Sequence, residues 1–301
     1  MNLQDPSIAG QSVQSEPTVY IVEPTTVHVY TIILLHGLGS NGEKFGKELL
    51  ETGTTSSGRT LSQLLPSARF VFPTAKRRRS SAFKRSLLMQ WFDIVRLPDP
   101  EFRKEKQLQG LAESALDLGE LLRKELSGIS PHNVIIGGIS QGCAMSLSML
   151  LSLEQPLGGF VGMCGFLPLQ KDIEDAVGDE STEADDDDPF APEEKHSPED
   201  PAVKAQVFER DLLCLPPLLN TTGEKTARST PIFLGHGDAD EKKPHILGEA
   251  ATRTMRAAGY DVVWKLYPEL GHWYKVPYEI DDIVDFIRTK VGWNIIDEGH
   301  G

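Results

Sequence analysis

Short apolar runs alternate along the chain with longer segments in which apolar residues recur at helical spacing. The runs predict seven strands, at residues 18–23, 27–35, 69–72, 133–136, 160–163, 231–234 and 261–267. Helices are predicted at residues 107–126, after Ser140, at about 244–258 and from Pro277 onward. Strands separated by helices over most of the length favour an α/β fold, with a mostly parallel central sheet and helices on both faces.

One segment interrupts this alternation. Residues 171–229 contain few periodic apolar positions, and residues 178–200 carry eleven acidic side chains against one lysine. The whole chain has a net charge of −14, so this acidic insert holds most of it. Low hydrophobicity with high charge cannot offset the entropy of ordering, and we therefore expect the insert to be disordered. The acidity also argues against nucleic-acid binding.

The rest of the composition describes one large domain. Hydrophobic residues make up 39% of the 301 positions, which is enough to bury a sizeable core. We expect a flexible tail at 1–17, a single domain at 18–293 and a C-terminal tail at 294–301. The three cysteines lack metal-ligand spacing, and the N-terminus lacks a basic-then-apolar leader, so we expect a soluble cytoplasmic protein. The sequence leaves the oligomeric state open.

The segment Gly138-Ile139-Ser140-Gln141-Gly142 is the first candidate for chemistry. A β-rich run precedes it and a helix-compatible run follows it, which is the context of a nucleophile elbow. A sharp turn between strand and helix exposes the serine hydroxyl, and small flanking residues let the chain pass closely. A glycine-rich turn with an incidental serine is the alternative interpretation. The strand and helix on the correct sides favour a nucleophile at Ser140.

A serine hydroxyl needs a base that takes its proton, and an acid that orients the base. For the chain order serine, acid, histidine, His272 is the best-placed base, because it lies in a loop between the final strand and the last helix. Asp238 and Asp240 both follow the strand at 231–234 and could each supply the acid. Position alone does not decide between them.

The developing oxyanion needs two backbone donors. The N–H of Gln141, at the start of the helix after Ser140, is one candidate. The glycine-containing segment "LLHGLGSNG", which follows the strand at 27–35, offers the other, although a structural turn is its alternative interpretation.

Two further segments are conspicuous. Residues 75–85 hold six basic side chains, which a solvated loop explains best. The alternatives are transient contact with an acidic membrane surface, an anionic substrate or the chain's own acidic insert. Residues 89–94, "MQWFDI", form an aromatic patch, whose Trp91 and Phe92 either line an acyl-binding pocket or belong to the core.

Five segments in this order resemble the acyl-protein thioesterase / phospholipase–carboxylesterase family of α/β-hydrolases. They are "LLHGLGSNGEKF", "MQWFDI", "GGISQGCAMSL", "GHGDADEKKP" and "ELGHWYKVPYEIDDIVDFI". The resemblance implies that Ser140 is the nucleophile, His272 the base and Asp240, rather than Asp238, the acid. It also implies that the N–H groups of Leu38 and Gln141 form the oxyanion hole.

The resemblance implies a serine hydrolase that cleaves carboxylic esters or thioesters of acyl chains through an acyl-enzyme, without cofactor or metal. The acyl donor is then a small molecule, a lipid or an acylated protein. A hydrolase of a specialised metabolite and a non-catalytic ligand-binding protein on the same fold are the alternatives. The chain departs from the family pattern in "EKKP" after Asp240, where an apolar residue is common, and in the long acidic insert.

Overall fold

The computed structural model describes residues 18–178, 200–219, 221 and 223–296. Its centre is a seven-stranded sheet with the order β1-β3-β2-β6-β7-β8-β9. β1 pairs with β3 in the antiparallel direction, and every other neighbouring pair in this sheet is parallel. A separate two-stranded antiparallel sheet is formed by β4 and β5. The strands are β1 (Val19–Val22), β2 (Tyr30–Leu35), β3 (Ala68–Pro73), β4 (Arg77–Ser80), β5 (Ser86–Met89), β6 (Val134–Ile139), β7 (Gly159–Met163), β8 (Ile232–Gly237) and β9 (Val262–Tyr267).

Helices cover both faces of the sheet, as predicted. They are α1 (Gly42–Thr52), α2 (Leu61–Leu64), α3 (Leu108–Leu126), α4 (Gln141–Ser152), α5 (Gln170–Gly178), α6 (Pro201–Leu212), α7 (His245–Ala257) and α8 (Tyr278–Phe286). α8 continues into a turn of π-helix at Ile287–Val291.

Each face of the sheet has its own apolar core, because successive side chains of a strand point to opposite faces. Ile33 and Leu35 of β2 pack with α3, α4, α6 and α7, whereas Ile32 and Leu34 pack with α1, α2 and α8. The fully buried strands β2, β6, β7 and β8 are therefore apolar runs without alternation. Parallel strands place the segments that follow β2, β6, β8 and β9 at one edge of the sheet, where a site can be assembled.

All seven predicted strands are present, but three have limits that differ by three residues at one end, among them β8, which extends to Gly237 rather than to residue 234. β2 begins at Tyr30 rather than at Val27, which is exposed, because residues 25–27 form a bend after Pro24. β6 extends beyond the predicted 133–136 to Ile139, through two glycines that are poor strand formers by composition.

The interpretation of residues 75–85 as a solvated loop is wrong for residues 77–80, whereas residues 81–85 form a mostly exposed turn that agrees with it. Residues 77–80 form β4, which pairs residue by residue with β5. Arg78 is mostly buried and forms an ion pair with Glu113 of α3, while Lys76 pairs with Asp117 on the same helix. Arg77 and Arg79 remain exposed, as expected for alternation along a strand.

The region 171–229 is also more regular than its composition indicated. α5 and α6 lie within it, and they bury Ile173, Ala202 and Ala205 in the core. The predicted disorder of the acidic insert falls on residues 179–199, which lie outside the described residues, as does the predicted tail at 1–17. Of the predicted C-terminal tail, residue 294 donates its N–H to the Tyr30 hydroxyl and residue 296 donates to Leu64 O.

Within the described part of the chain, the helices are too short or too polar to span a lipid bilayer.

Candidate active site

Ser140 occupies a sharp turn between β6 and α4. Its backbone has φ 56° and ψ −119°, a combination that a non-glycine residue rarely adopts. The Ser140 N–H donates to Met163 O of β7, and the Ser140 carbonyl accepts from Ala144 N–H in the first turn of α4. The turn is thus fixed on both sides, and it directs the hydroxyl towards the edge of the sheet.

The two glycines of the motif let this turn pass close to the end of β2. A Cβ atom placed on Gly138 would lie 2.4 Å from Leu35 O, and one on Gly142 would lie 2.1 Å from the same oxygen. Both distances are far inside van der Waals contact with backbone. The glycines are therefore required by the packing of the turn.

His272 is hydrogen-bonded to both of the other predicted catalytic residues, Ser140 and Asp240. Its Nε2 lies 2.8 Å from Ser140 Oγ, and its Nδ1 lies 2.7 Å from Asp240 Oδ2. His272 lies in the loop between β9 and α8, and Asp240 follows β8. The Asp240 side chain has no exposed surface, whereas that of His272 is 16% exposed.

Asp240 accepts hydrogen bonds at both carboxylate oxygens. Oδ1 accepts the backbone N–H groups of Lys242 and Lys243, each at 2.9 Å. Burial alone would raise the pKa of Asp240, but the bonds from His236, His272 and the Lys243 N–H outweigh burial and hold the pKa well below its usual range. Asp240 is therefore a rigid carboxylate.

Asp238 has a different environment, although the sequence left it as an equal candidate. Its Oδ1 accepts the backbone N–H of Glu269, which lies in the turn after β9. The side chain is exposed. This contact is that of a turn residue.

His236 is a functional candidate that the sequence reasoning missed. It lies in β8, is fully buried, and its Nε2 lies 3.1 Å from Asp240 Oδ2 and 2.8 Å from Lys243 O. Both acceptors require a proton on Nε2. The spacing of His236 and Asp240 in "GHGDAD", with the histidine at the end of an apolar run, was the available signal.

The loop after β2 lies against the Ser140 turn. A Cβ atom on Gly37 would lie 3.4 Å from the Cβ of Ser140. His36 fixes the loop, because its Nε2 accepts Ala75 N–H and its Nδ1 bonds the carbonyl of Gly37. Burial lowers the pKa of His36 to about 4, so the ring is neutral. His36 was not predicted as a site residue, although it directly precedes the glycines of "LLHGLG".

Trp91 and Phe92 are buried beneath the site. The side-chain amide of Gln141 accepts the Trp91 backbone N–H at 3.0 Å and donates to Phe92 O at 2.6 Å. The Trp91 indole N–H donates to His36 O at 2.9 Å. These bonds join the aromatic segment to the first residue of α4 and to the loop after β2. Direct contact of Trp91 or Phe92 with substrate stays a prediction.

Cys164 adds a third type of ligand atom near His272 and Asp240. One ligand atom from each of the three lies within 4.8 Å of the others, in a geometry that could hold a metal ion. Burial raises the pKa of Cys164 well above its usual value, and its thiol donates to Trp273 O at 3.0 Å. The thiol is thus bonded to a carbonyl, and Asp240 Oδ2 is bonded to His236 and His272, so these three groups serve a hydrogen-bonded role.

Comparison with known proteins decides the family. The model of the phospholipase/carboxylesterase family matches residues 17–183, more than half of the chain. The chain belongs to the phospholipase/carboxylesterase family. It is an ester hydrolase, and the predictions of the family, of an enzyme and of the α/β-hydrolase fold are confirmed.

Several known proteins match this chain over most of its length. Acyl-protein thioesterase 1 of Gibberella zeae is 28% identical over 268 residues, which cover 88% of this chain and 92% of that protein. Acyl-protein thioesterase 1 of Kluyveromyces lactis is 30% identical over 265 residues, covering 86% and 91%. The crystal structure of Zea mays acyl-protein thioesterase 2 has a TM-score of 0.63 and 25% identity, covering 91% of this chain and 99% of that one.

Proposed function

We propose that this hydrolase works through Ser140, His272 and Asp240 by an acyl-enzyme mechanism. The observation that carries the proposal is the pair of contacts made by His272, at 2.8 Å to Ser140 Oγ and 2.7 Å to Asp240 Oδ2. His272 Nε2 takes the hydroxyl proton as Oγ attacks the acyl carbonyl carbon. Asp240 holds the proton on Nδ1 and stabilises the imidazolium.

The two half-reactions use the same imidazole. Collapse of the first tetrahedral intermediate breaks the bond to the alcohol or thiol, which leaves with the proton from His272. A water molecule then attacks the acyl-enzyme while His272 takes its proton. Collapse of the second intermediate releases the carboxylic acid and returns the proton to Ser140 Oγ.

The N–H groups of Leu38 and Gln141 are the proposed oxyanion donors. Gln141 is the first residue of α4, directly after Ser140, and Leu38 follows Gly37, which lies against Ser140. Among the described residues, neither amide donates to a protein acceptor. Two unpaired donors beside a nucleophile can bind the oxyanion without reorganisation.

The proposed substrates are carboxylic esters or thioesters of acyl chains, carried by a small molecule, a lipid or an acylated protein. The relatives from Gibberella zeae and Kluyveromyces lactis support the thioester, since both are acyl-protein thioesterases by name. A cytoplasmic location is part of the proposal, and the exposed free thiol of Cys214 supports it, because an oxidising compartment would favour its pairing with another thiol.

Three variants test the proposal on a short p-nitrophenyl ester and on an acyl thioester. We expect Ser140→Ala to lose turnover and labelling by a fluorophosphonate probe, while its circular dichroism spectrum matches that of the wild type. Asp240→Asn should lower kcat by about 10³–10⁴-fold, because the imidazole tautomer is no longer fixed. Asp238→Asn, two residues away in the same loop, should keep kcat within about threefold.

Each outcome has a defined meaning. Undiminished turnover in Ser140→Ala would overturn the proposal. Equal losses in the two aspartate variants would reject Asp240 as the specific acid. A wild-type protein that binds acyl esters without turnover or probe labelling would instead indicate a non-catalytic ligand-binding protein.

A further inference from the structure

Lys243 is a buried cation three residues after Asp240. It is 3% exposed, its Nζ donates to Leu97 O at 2.5 Å, and the ammonium lies 4.1 Å from the centre of the Phe166 ring. An ammonium group over an aromatic face is attracted by the ring quadrupole. A lysine is rarely buried to this extent without a carboxylate partner.

The backbone of Lys243 also supports the proposed catalytic acid. Its N–H donates to Asp240 Oδ1, and its carbonyl accepts the Nε2 proton of His236. The position of Lys243 therefore affects Asp240 directly and also His236, which bonds the other carboxylate oxygen of Asp240. The bond from Nζ to Leu97 O ties that backbone to a distant part of the chain, 146 residues earlier.

The segment that holds Leu97 is connected to the other side of the site. It follows Trp91 and Phe92, which are bonded to the side chain of Gln141. Phe166, which lies beneath the ammonium, packs edge-on against Phe92 with ring centroids 6.3 Å apart. The Lys243 side chain thus contacts Leu97 and Phe166, and both segments connect through Phe92 to Gln141, which carries one proposed oxyanion donor. The loop of Lys243 itself carries Asp240, the proposed acid.

We infer that Lys243 is a positioning residue, whose side chain holds the loop carrying Asp240 against the 91–97 segment and thereby keeps His272 aligned with Ser140. This inference rests on the proposed roles of Ser140, His272 and Asp240.

The groups around Lys243 determine how its charge behaves. Two titratable residues lie next to it, Asp240 on its own loop and His236 on β8. Its other neighbours are the carbonyl of Leu97 and the ring of Phe166. Burial lowers the pKa of Lys243 to about 7, and the charge of Asp240 opposes this shift only in part. The ammonium therefore loses its proton between neutral and mildly alkaline pH, and the hold on Leu97 O weakens there.

The test compares Lys243→Met with Lys171→Met at about pH 6, where Lys243 is protonated. Met is unbranched and of similar length, and its sulfur is tolerated beside Phe166. Lys171 is an exposed lysine of α5, so its replacement removes the same charge without removing a buried contact. We expect Lys243→Met to lower kcat for a short p-nitrophenyl ester about tenfold, with KM within about twofold, as for the loss of one charged hydrogen bond. Lys171→Met should match the wild type.

A double-mutant cycle with Asp240→Asn separates positioning from a general structural effect. The readout is the rate of fluorophosphonate labelling of Ser140. If Lys243 acts through Asp240, adding Lys243→Met to Asp240→Asn should change the labelling rate little. If the two losses multiply, the inference is wrong. It is also wrong if Lys243→Met alone labels and turns over like the wild type.

Two further measurements keep the result decisive. Should Lys243→Met fail to fold by circular dichroism, Lys243→Gln is judged by the same criteria, since it keeps a neutral donor. Ser140→Ala and Asp240→Asn are assayed in parallel. If both are inactive while Lys243→Met is fully active, only this inference fails; if Ser140→Ala is active, the proposed function fails.

Discussion

His236 and His272 bond the same carboxylate oxygen of Asp240, with nitrogen–oxygen distances of 3.1 Å and 2.7 Å. The two imidazoles differ in their surroundings. His272 is partly exposed and reaches Ser140, whereas His236 is fully buried and also donates to Lys243 O. Because His236 cannot reach the serine while it makes these bonds, its contribution is to restrain the rotation of the carboxylate.

Replacement of His236 by Gln should therefore weaken catalysis without abolishing it. We expect kcat for a short ester to fall about tenfold, the size of one hydrogen bond to a charged group, with a much smaller loss than in Asp240→Asn. His245→Gln, at the partly exposed start of α7, is the control and should be neutral. A loss equal to that of Asp240→Asn would show that His236 does more than restrain Asp240.

The same variant should change how stability depends on pH. The depressed pKa of Asp240 means that its carboxylate stabilises the folded state above the unfolded value of about 3.9, and that this contribution is lost as the pH falls. His236→Gln removes one of the hydrogen bonds that lower the pKa of Asp240. The difference in Tm between wild type and variant should therefore be present at pH 7 and shrink below about pH 4.

Gly142 and Gly119 offer a second comparison, between two helical glycines with opposite surroundings. A Cβ on Gly142 would lie 2.1 Å from Leu35 O and 2.7 Å from His36 O, whereas one on Gly119 would meet nothing within 4 Å. Gly142→Ala should destabilise the protein by about 3 kcal/mol and displace the loop that carries Leu38. Gly119→Ala should stabilise it by about 0.5–1 kcal/mol.

Urea unfolding monitored by circular dichroism measures both changes in the free energy of unfolding, and fluorophosphonate labelling measures the effect on Ser140. Gly119→Ala should label like the wild type. A Gly142→Ala variant with wild-type stability and labelling would show that the turn after β6 tolerates a side chain, contrary to the close approach of β2.

The sequence predicted the parts of this site that depend on local chain order. Ser140, Asp240 and His272 each follow a strand, and because parallel strands end at one edge, their proximity could be anticipated from order alone. The choice of Asp240 over Asp238 could not, since both follow β8 and only their partners in space differ. Asp240 meets His272 and His236, whereas Asp238 meets a backbone N–H of the next turn.

Two of the elements that were missed, β4 and α6, depend on contacts between distant segments. β4 reads as a basic run, yet Arg78 is paired with Glu113, which lies 35 residues later on α3. α6 has a weak apolar pattern, yet it is held by bonds from Gln206 to Leu153 O and from Arg210 to Ser152 O at the end of α4. Neither partner is visible from local periodicity, so tertiary contacts override the composition of these segments.

Glu209 is a buried acid of α6 that makes stability depend on pH. It is fully buried, and among the described residues neither carboxylate oxygen makes a hydrogen bond of normal geometry, while the nearby Ser148 hydroxyl offsets the effect of burial only in part. Burial raises the pKa of Glu209 to about 8. The folded state therefore keeps this proton between about pH 4.5 and pH 8, whereas the unfolded state has released it. Unfolding releases a proton in this window, so the contribution of Glu209 to stability falls as the pH rises.

Glu209→Gln removes this dependence, because the amide stays neutral at every pH. We expect wild type and variant to have similar free energies of unfolding at about pH 4.5, and the variant to gain roughly 2–4 kcal/mol relative to the wild type by pH 8, without further gain above it. Urea unfolding at several pH values between 4.5 and 9 measures this difference. Glu120→Gln, at an exposed position of α3, is the matched control and should show no such slope. Parallel pH dependences for wild type and Glu209→Gln would mean that Glu209 is already ionised in the folded protein, with a cation or solvent offsetting its burial.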